Sequence, residues 1–261
     1  MTATVLHHEV RGEGPPVLLV HAGIADSRMW DGFADRLVAG GHQVITCDLR
    51  GFGRTPLAPG VVSNPRDLRV LLDHLGVERA AVAGASFGGL QALGLALRAP
   101  ERVSALVLLG SALDEFDASP ALDAFDAAEE AAIDAGDLDA AAAINAGFWV
   151  ERPGERPAAD VDPAVLDLVR TMQRDAFAAQ ADVDASIEPF DPPVARRLGD
   201  VAMPTLVVVG ADDVPDFVAI ARRLADEIPG AGPVVTIARA AHLPALERPA
   251  ETAAAVLDFL A

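Results

Sequence analysis

Hydrophobic and polar positions along the chain follow two alternating periods. Short apolar runs, rich in valine and leucine, recur at residues 3–10, 16–20 (PVLLV), 43–47 (QVITC), 80–83, 104–110 (SALVLLG), 205–209 (TLVVV) and 233–237 (PVVTI). Between them lie stretches whose apolar residues return every three or four positions. One is 28–38, with Met29, Trp30, Phe33 and Leu37; others are 66–75, 87–98, 216–227 and 249–260. The runs predict strands and the spaced stretches predict helices. Turn chemistry agrees: Gly12-Glu13-Gly14-Pro15 separates the first two strands, Gly40-Gly41 ends the first helix, and Pro100 follows the helix at 87–98. Strands alternating with helices predict an α/β fold, a mainly parallel sheet with helices on both faces.

The rhythm breaks over 112–200. Ser119-Pro120 reads as a helix start, with serine as cap and proline in the first turn. That helix runs to about 135, Gly136 breaks it, and Asp137 caps a second one through 145. Pro153, Pro157 and Pro163 mark loops, and a third helix at about 163–181 carries Val165, Leu168, Met172 and Phe177 on one side. No strand is predicted here. The expected organisation is one core, residues 1–111 and 201–261, with a helical cap at 112–200 folded over the sheet edge. A length of 261 residues at 51% hydrophobic content suffices for that.

Charge narrows the partners. The formal net charge is −19, and 112–200 holds 21 acidic residues against 6 arginines. Such a chain does not seek nucleic acid or anionic lipid; the acidic segment reads as a solvated outer surface. No apolar run approaches the ~18 residues of a membrane span, and MTATVLHHEV lacks a basic stretch followed by an apolar one. A cytoplasmic protein without a membrane partner is expected. Every basic residue except the histidines is arginine, and tyrosine is absent; lysine and tyrosine chemistry is therefore excluded. Cys47 stands alone in an apolar strand, which excludes an internal disulfide and a cysteine zinc site. No metal or cofactor is expected.

Candidate chemistry centres on RAAVAGASFGGL, residues 79–90. The pattern G-x-S-x-G, Gly84 to Gly88, follows a strand and opens a helix. At such a turn the serine stands clear of the sheet, and the next amide faces a developing oxyanion. A serine nucleophile needs a base, and the base needs an orienting carboxylate. Candidates lie at the carboxyl ends of later strands, where active groups gather in such sheets: Asp212 and Asp213 after 205–209, and His242 after 233–237. Asp114, after 104–110, is a third carboxylate. Of the other histidines, His21 opens the loop after 16–20 and is expected to brace it; His7, His8, His42 and His74 read as surface or structural. Asp48 and Arg50 read as a loop-bracing ion pair.

These segments resemble the α/β-hydrolase superfamily, in the branch with a helical cap inserted after the sixth core strand. HAGIADSRMW is similar to its oxyanion loop, DLRGFGRT to its D-x-R-G-x-G-x-S loop, and GASFGG to its nucleophile elbow; VVVGADD is similar to its acid strand and AAHLPALERP to its histidine loop. The likeness covers the core, about 170 residues by the predicted boundaries; the cap matches only in position and helical character. Where the family usually shows glycine, this chain has Ala22.

The resemblance implies Ser86 as nucleophile, His242 as general base and Asp213 as the acid, three residues after Gly210, with Asp212 as alternative. It implies the backbone amides of Gly23 and Phe87 as oxyanion donors, with Ile24 taking the part of Gly23 if the register shifts by one. Ile24, Phe148, Trp149 and Met172 are expected to line a substrate pocket. Haloalkane dehalogenases and epoxide hydrolases of this fold need an aspartate where Ser86 stands, and hydroxynitrile lyases use a lysine. RMWD resembles 3-oxoadipate enol-lactonase-like and carboxylesterase-like members. An acidic cap repels an anionic lactone unless Arg152, Arg156, Arg170 or Arg174 faces the pocket. The expected substrate is a small to medium, neutral, fairly apolar ester or lactone. Alternatives are a carbon–carbon bond hydrolase, a thioesterase or a cofactor-free oxygenase on the same triad, and a ligand receptor without turnover.

Overall fold

The computed structural model describes residues 5–261. The elements in chain order are β1 (His8–Arg11), β2 (Pro16–Val20), α1 (Asp31–Ala39), β3 (Gln43–Cys47), β4 (Gly60–Val62), α2 (Asn64–His74), β5 (Ala80–Ala85), α3 (Phe87–Arg98) and β6 (Val103–Leu109). Then come α4 (Pro120–Asp134), α5 (Leu138–Ala146), α6 (Pro163–Gln180), β7 (Ala185–Ile187), β8 (Thr205–Gly210), α7 (Pro215–Glu227), β9 (Val235–Ile237), α8 (Pro244–Glu247) and α9 (Pro249–Leu260). The strand predicted over 3–10 begins at His8; residues 1–4 lie outside the described part.

A seven-stranded sheet has the order β1-β3-β2-β5-β6-β8-β9. Only β1 runs antiparallel to its neighbour; the remaining pairs are parallel. Side chains of a strand alternate between faces, so the sheet feeds two cores. Val17, Leu19, Val107 and Leu109 meet Trp30, Phe33 and Leu37 of the α1 region and Val256 of α9. Leu18, Val20, Leu106 and Leu108 meet Leu68 and Leu71 of α2, Leu93 of α3, and Leu224 of α7. Burial on both faces explains why these strands read as unbroken apolar runs.

The inserted segment follows β6, the fifth strand of this sheet in chain order. Ser119 caps α4 through the Leu122 amide, Asp137 caps α5 through Ala140, and Asp162 caps α6 through Ala164. Leu122, Phe125, Leu166, Val169 and Met172 extend the first core. The segment lies over the carboxyl ends of the strands: Gln180 Nε2 donates to the Gly51 carbonyl beyond β3, at 3.1 Å.

The expectation of a strand-free insertion is overturned. β7 lies within it and pairs in parallel with β4, Gly60 opposite Ala185 and Val62 opposite Ile187. Neither three-residue strand is long enough to show a period. Their pairing is fixed at the ends, where Glu188 accepts from Ser63 Oγ at 2.6 Å and from Arg98 at 2.5 Å.

Candidate active site

Ser86 stands between β5 and α3 with φ 49° and ψ −119°. A non-glycine residue in that region is strained and persists only where neighbours hold it. Here the Ser86 amide donates to Leu109 O at 3.0 Å, and the Ser86 carbonyl accepts from Gly89 and Ala112, each at 2.9 Å. A Cβ on Gly84 would overlap the backbone of Gly88, and one on Gly88 would overlap the carbonyls of Val20 and His21. The two glycines let strand and helix touch.

The sheet brings three side chains from separate strand ends together. His242 Nε2 lies 2.8 Å from Ser86 Oγ. Its Nδ1 lies 3.0 and 3.2 Å from the two carboxylate oxygens of Asp213. Facing a carboxylate, Nδ1 carries the proton, which leaves Nε2 free to accept the serine proton. Asp213 is fixed in turn by the Val214 amide at 2.7 Å. The ring is walled by Trp149, centroids 4.4 Å apart, and by Phe217 at 4.5 Å. His242 is 1% exposed and Asp213 5%, while Ser86 is half-buried. Asp212 turns the other way, its carboxylate 3.7 Å from Arg156 Nε. Asp114 accepts the amides of Val194 and Ala195 at 2.9 and 2.8 Å, so it caps a short helix far from the imidazole in role.

Gly23 and Phe87 are neighbours; a Cβ on Gly23 would sit 3.4 Å from that of Phe87. Among the described residues, neither backbone amide donates a loop, turn or cap hydrogen bond. The loop that carries Gly23 is tied down by His21. Its Nε2 accepts from the Leu49 amide at 2.9 Å, so its Nδ1 donates to the Ala22 carbonyl at 2.8 Å. Burial pushes the His21 pKa below the ordinary imidazole value, consistent with this neutral form. Asp26 caps the next turn and takes the Arg28 guanidinium, which also reaches Asp175 of α6 at 2.9 Å.

Asp48 and Arg50 do not form the expected pair. Arg50 grips Asp67 of α2 at 2.6 and 2.7 Å. Asp48 accepts the amides of Ser27 and Arg54, each at 2.9 Å, and so joins the loops after β2 and β3. Burial alone would raise its carboxyl, but the Arg54 and Ser27 amides outweigh that and hold it below the usual range.

A cavity of about 440 Å³ reaches Gly23 and Phe87. Its wall includes Phe52, Leu57, Val62, Val183 and Ile187. None of the four side chains expected at the pocket lines it. Ile24 is buried in the first core, Phe148 stacks on Phe125 at 4.5 Å, Trp149 covers His242, and Met172 Sδ faces the Asp26 amide at 3.5 Å. Four of its twelve lining residues, Val62, Ala185, Ser186 and Ile187, belong to the β4–β7 ribbon, which no period announced. A larger cleft of about 560 Å³ shares Arg50 and Val62 with this cavity but reaches neither Gly23 nor Phe87, and Ser86, Asp213 and His242 line neither of the two. Arg152, Arg156, Arg170 and Arg174 each meet a carboxylate: Glu155, Glu247, Asp167 and Asp139. Among the described residues, no cluster of histidine, cysteine and carboxylate side chains is arranged to hold a metal ion, and no helix is long and apolar enough to cross a membrane.

A family model described as the alpha/beta hydrolase fold matches residues 15–249. The chain is 32% identical over 238 residues, 85% of its length and 83% of the relative's, to RutD of Variovorax paradoxus (strain S110), provisionally named a carbamate hydrolase. A thermophilic esterase from Thermogutta terrifontis shares the fold with a TM-score of 0.76 at 26% identity, over 98% of this chain and 92% of the esterase. The enol-lactonase of Burkholderia xenovorans LB400 does so with a TM-score of 0.77 at 25% identity, over 98% and 96% of the two chains.

Proposed function

The chain belongs to the alpha/beta hydrolase fold family, and from that premise we propose that it is a serine hydrolase cleaving a small to medium, neutral, fairly apolar carboxylic ester or lactone. The observation that carries this reading is the 2.8 Å approach of His242 Nε2 to Ser86 Oγ, with Asp213 behind the ring. His242 takes the hydroxyl proton as Ser86 attacks the carbonyl carbon. The tetrahedral oxyanion accepts the amides of Gly23 and Phe87. His242 returns the proton to the leaving alkoxide, and an acyl-enzyme remains. Water, deprotonated by His242, then releases the acid and restores Ser86. In a lactone the alcohol and acid stay in one product.

Two observations support the substrate class. The cavity beside the oxyanion amides is walled mainly by apolar side chains. Its one cation, Arg50, is already held by Asp67, within a chain whose net charge opposes anions. The ester and lactone readings also agree with what the Thermogutta esterase and the Burkholderia enol-lactonase are named for.

The test is steady-state turnover of p-nitrophenyl acetate and butyrate, followed by a panel of lactones, esters and thioesters read by mass spectrometry. Turnover is expected, with a loss of about 10⁴-fold or more in Ser86→Ala. Labelling of Ser86 without product release would make the protein a ligand receptor instead. Thioester turnover exceeding ester turnover would move the substrate class.

A further inference from the structure

Arg156 and Glu247 are the most deeply buried arginine–carboxylate pair among the described residues, with side chains 0% and 3% exposed. Arg156 lies in the loop between α5 and α6; Glu247 ends α8. Arg156 Nη1 donates to Glu247 Oε2 at 2.6 Å and to the Val150 carbonyl at 2.8 Å. Nη2 donates to the carbonyls of Asp160 at 2.9 Å and Arg239 at 2.7 Å. Glu247 in turn accepts the Ala241 amide at 3.1 Å and the Leu243 amide at 3.0 Å. Those two amides bracket His242.

Two further contacts of Arg156, with the Val150 and Arg239 carbonyls, also lead toward the imidazole. Val150 follows Trp149, whose carbonyl accepts the His242 amide at 3.2 Å and whose indole covers the ring. Arg239 opens the turn into His242 and has φ +57°, a strained value that its carbonyl's partner helps to hold. Only a guanidinium offers enough donors in one plane to reach a carboxylate and three carbonyls together. A buried ion pair is weak evidence for stability, because apolar residues of like volume often serve as well. What this pair does that apolar residues cannot is fix the backbone on both sides of His242.

We propose that Arg156 and Glu247 are a positioning pair: they hold His242 at hydrogen-bond distance from Ser86, and through Arg156 the inserted segment sets the geometry of proton transfer. The proposal rests on the reading of His242 as general base. The pair touches no reacting atom. It acts by keeping Nε2 and Oγ aligned, and a misplacement of about 1 Å in such a contact costs about 10²-fold in rate.

The test compares the wild type with Glu247→Gln, Arg156→Lys and the double variant Arg156→Met/Glu247→Leu. The double variant removes both charges at once and so avoids the unpaired buried charge that a single change can leave. Folding is checked by circular dichroism and urea midpoint. Ester turnover, the rate of Ser86 labelling by a fluorophosphonate, and the far-downfield proton signal of the His242 Nδ1–H are then read. The expected result is a fall in kcat of about 10- to 100-fold with KM within about two-fold. Labelling slows in parallel, the downfield signal shifts or broadens, and Arg156→Lys retains part of the rate. A folded variant with wild-type kcat and labelling would overturn the proposal, as would a change confined to KM. Failure of the underlying reading looks different: Ser86→Ala would keep its turnover, or the wild type would not label at all.

Discussion

The indole of Trp149 lies against the imidazole of His242, ring centroids 4.4 Å apart and planes at 33°. The same residue's carbonyl accepts the His242 amide. Trp149 sits in a single π-helical turn, Gly147–Glu151, so an irregular turn of the inserted segment grips His242 by face and by backbone. Trp149→Ala removes a buried ring that also meets Phe125, Phe148 and Phe217. Its expected cost is about 3–5 kcal/mol of stability, read from urea unfolding, together with a lower kcat. Trp149→Phe keeps an aromatic face on the imidazole and should lose less of both.

The two adjacent aspartates give a sharp contrast. Asp213 meets the imidazole, whereas Asp212 faces Arg156 and is partly open to solvent. Asp213→Asn keeps the shape but presents an amide to Nδ1, which favours the wrong tautomer. Turnover should fall by about 10⁴-fold. Asp212→Asn leaves the tautomer alone, and its kcat should stay within about ten-fold of wild type. Equal losses in the two variants would remove Asp213 from its role.

His21 predicts how stability responds to acid. Burial lowers its pKa in the folded state below 6.5, so the unfolded chain takes up a proton first as pH falls. The unfolded state then binds more protons, and stability must drop as pH falls through about 6.5 toward the folded value, by up to about 1.4 kcal/mol per pH unit. Well above 6.5 both states are neutral and this contribution is constant. His21→Gln can still donate and accept, and it cannot titrate. Urea unfolding across this range should show a shallower slope for the variant than for the wild type.

How much of this was legible in the sequence depends on the distance over which each feature is decided. The parallel sheet was legible because its central strands are buried on both faces and bounded by turn residues. The elbow was legible because Gly84, Ser86 and Gly88 answer to one local clash, and His242 and Asp213 because each lies in the loop that leaves a strand. The β4–β7 ribbon was hidden: three residues carry no period, and each strand exists only because the other, far along the chain, pairs with it. The cavity wall followed it into obscurity. Proximity in sequence suggests Asp48 as the partner of Arg50, but two loop amides already satisfy Asp48, and α2 delivers Asp67 to the guanidinium. Trp149 was legible as a large apolar side chain near the site, though its place over the imidazole depends on a π-helical turn that no spacing announces.

Asn64 carries the last prediction. It is 1% exposed, it contributes to the wall of the cavity beside Gly23 and Phe87, and neither its Oδ1 nor its Nδ2 has a hydrogen-bond partner among the described residues. A buried amide left unpaired costs about 1–3 kcal/mol, and an apolar residue of similar shape avoids that cost. Asn64→Leu should therefore raise the urea midpoint. If the amide recognises a polar atom of the bound substrate, the same variant should raise KM while leaving kcat nearly unchanged, the pattern of lost uniform binding. A more stable variant with unchanged KM would restrict Asn64 to the structure of the cavity wall. A less stable variant would mean that the amide is satisfied in the folded protein and that the wall is polar there.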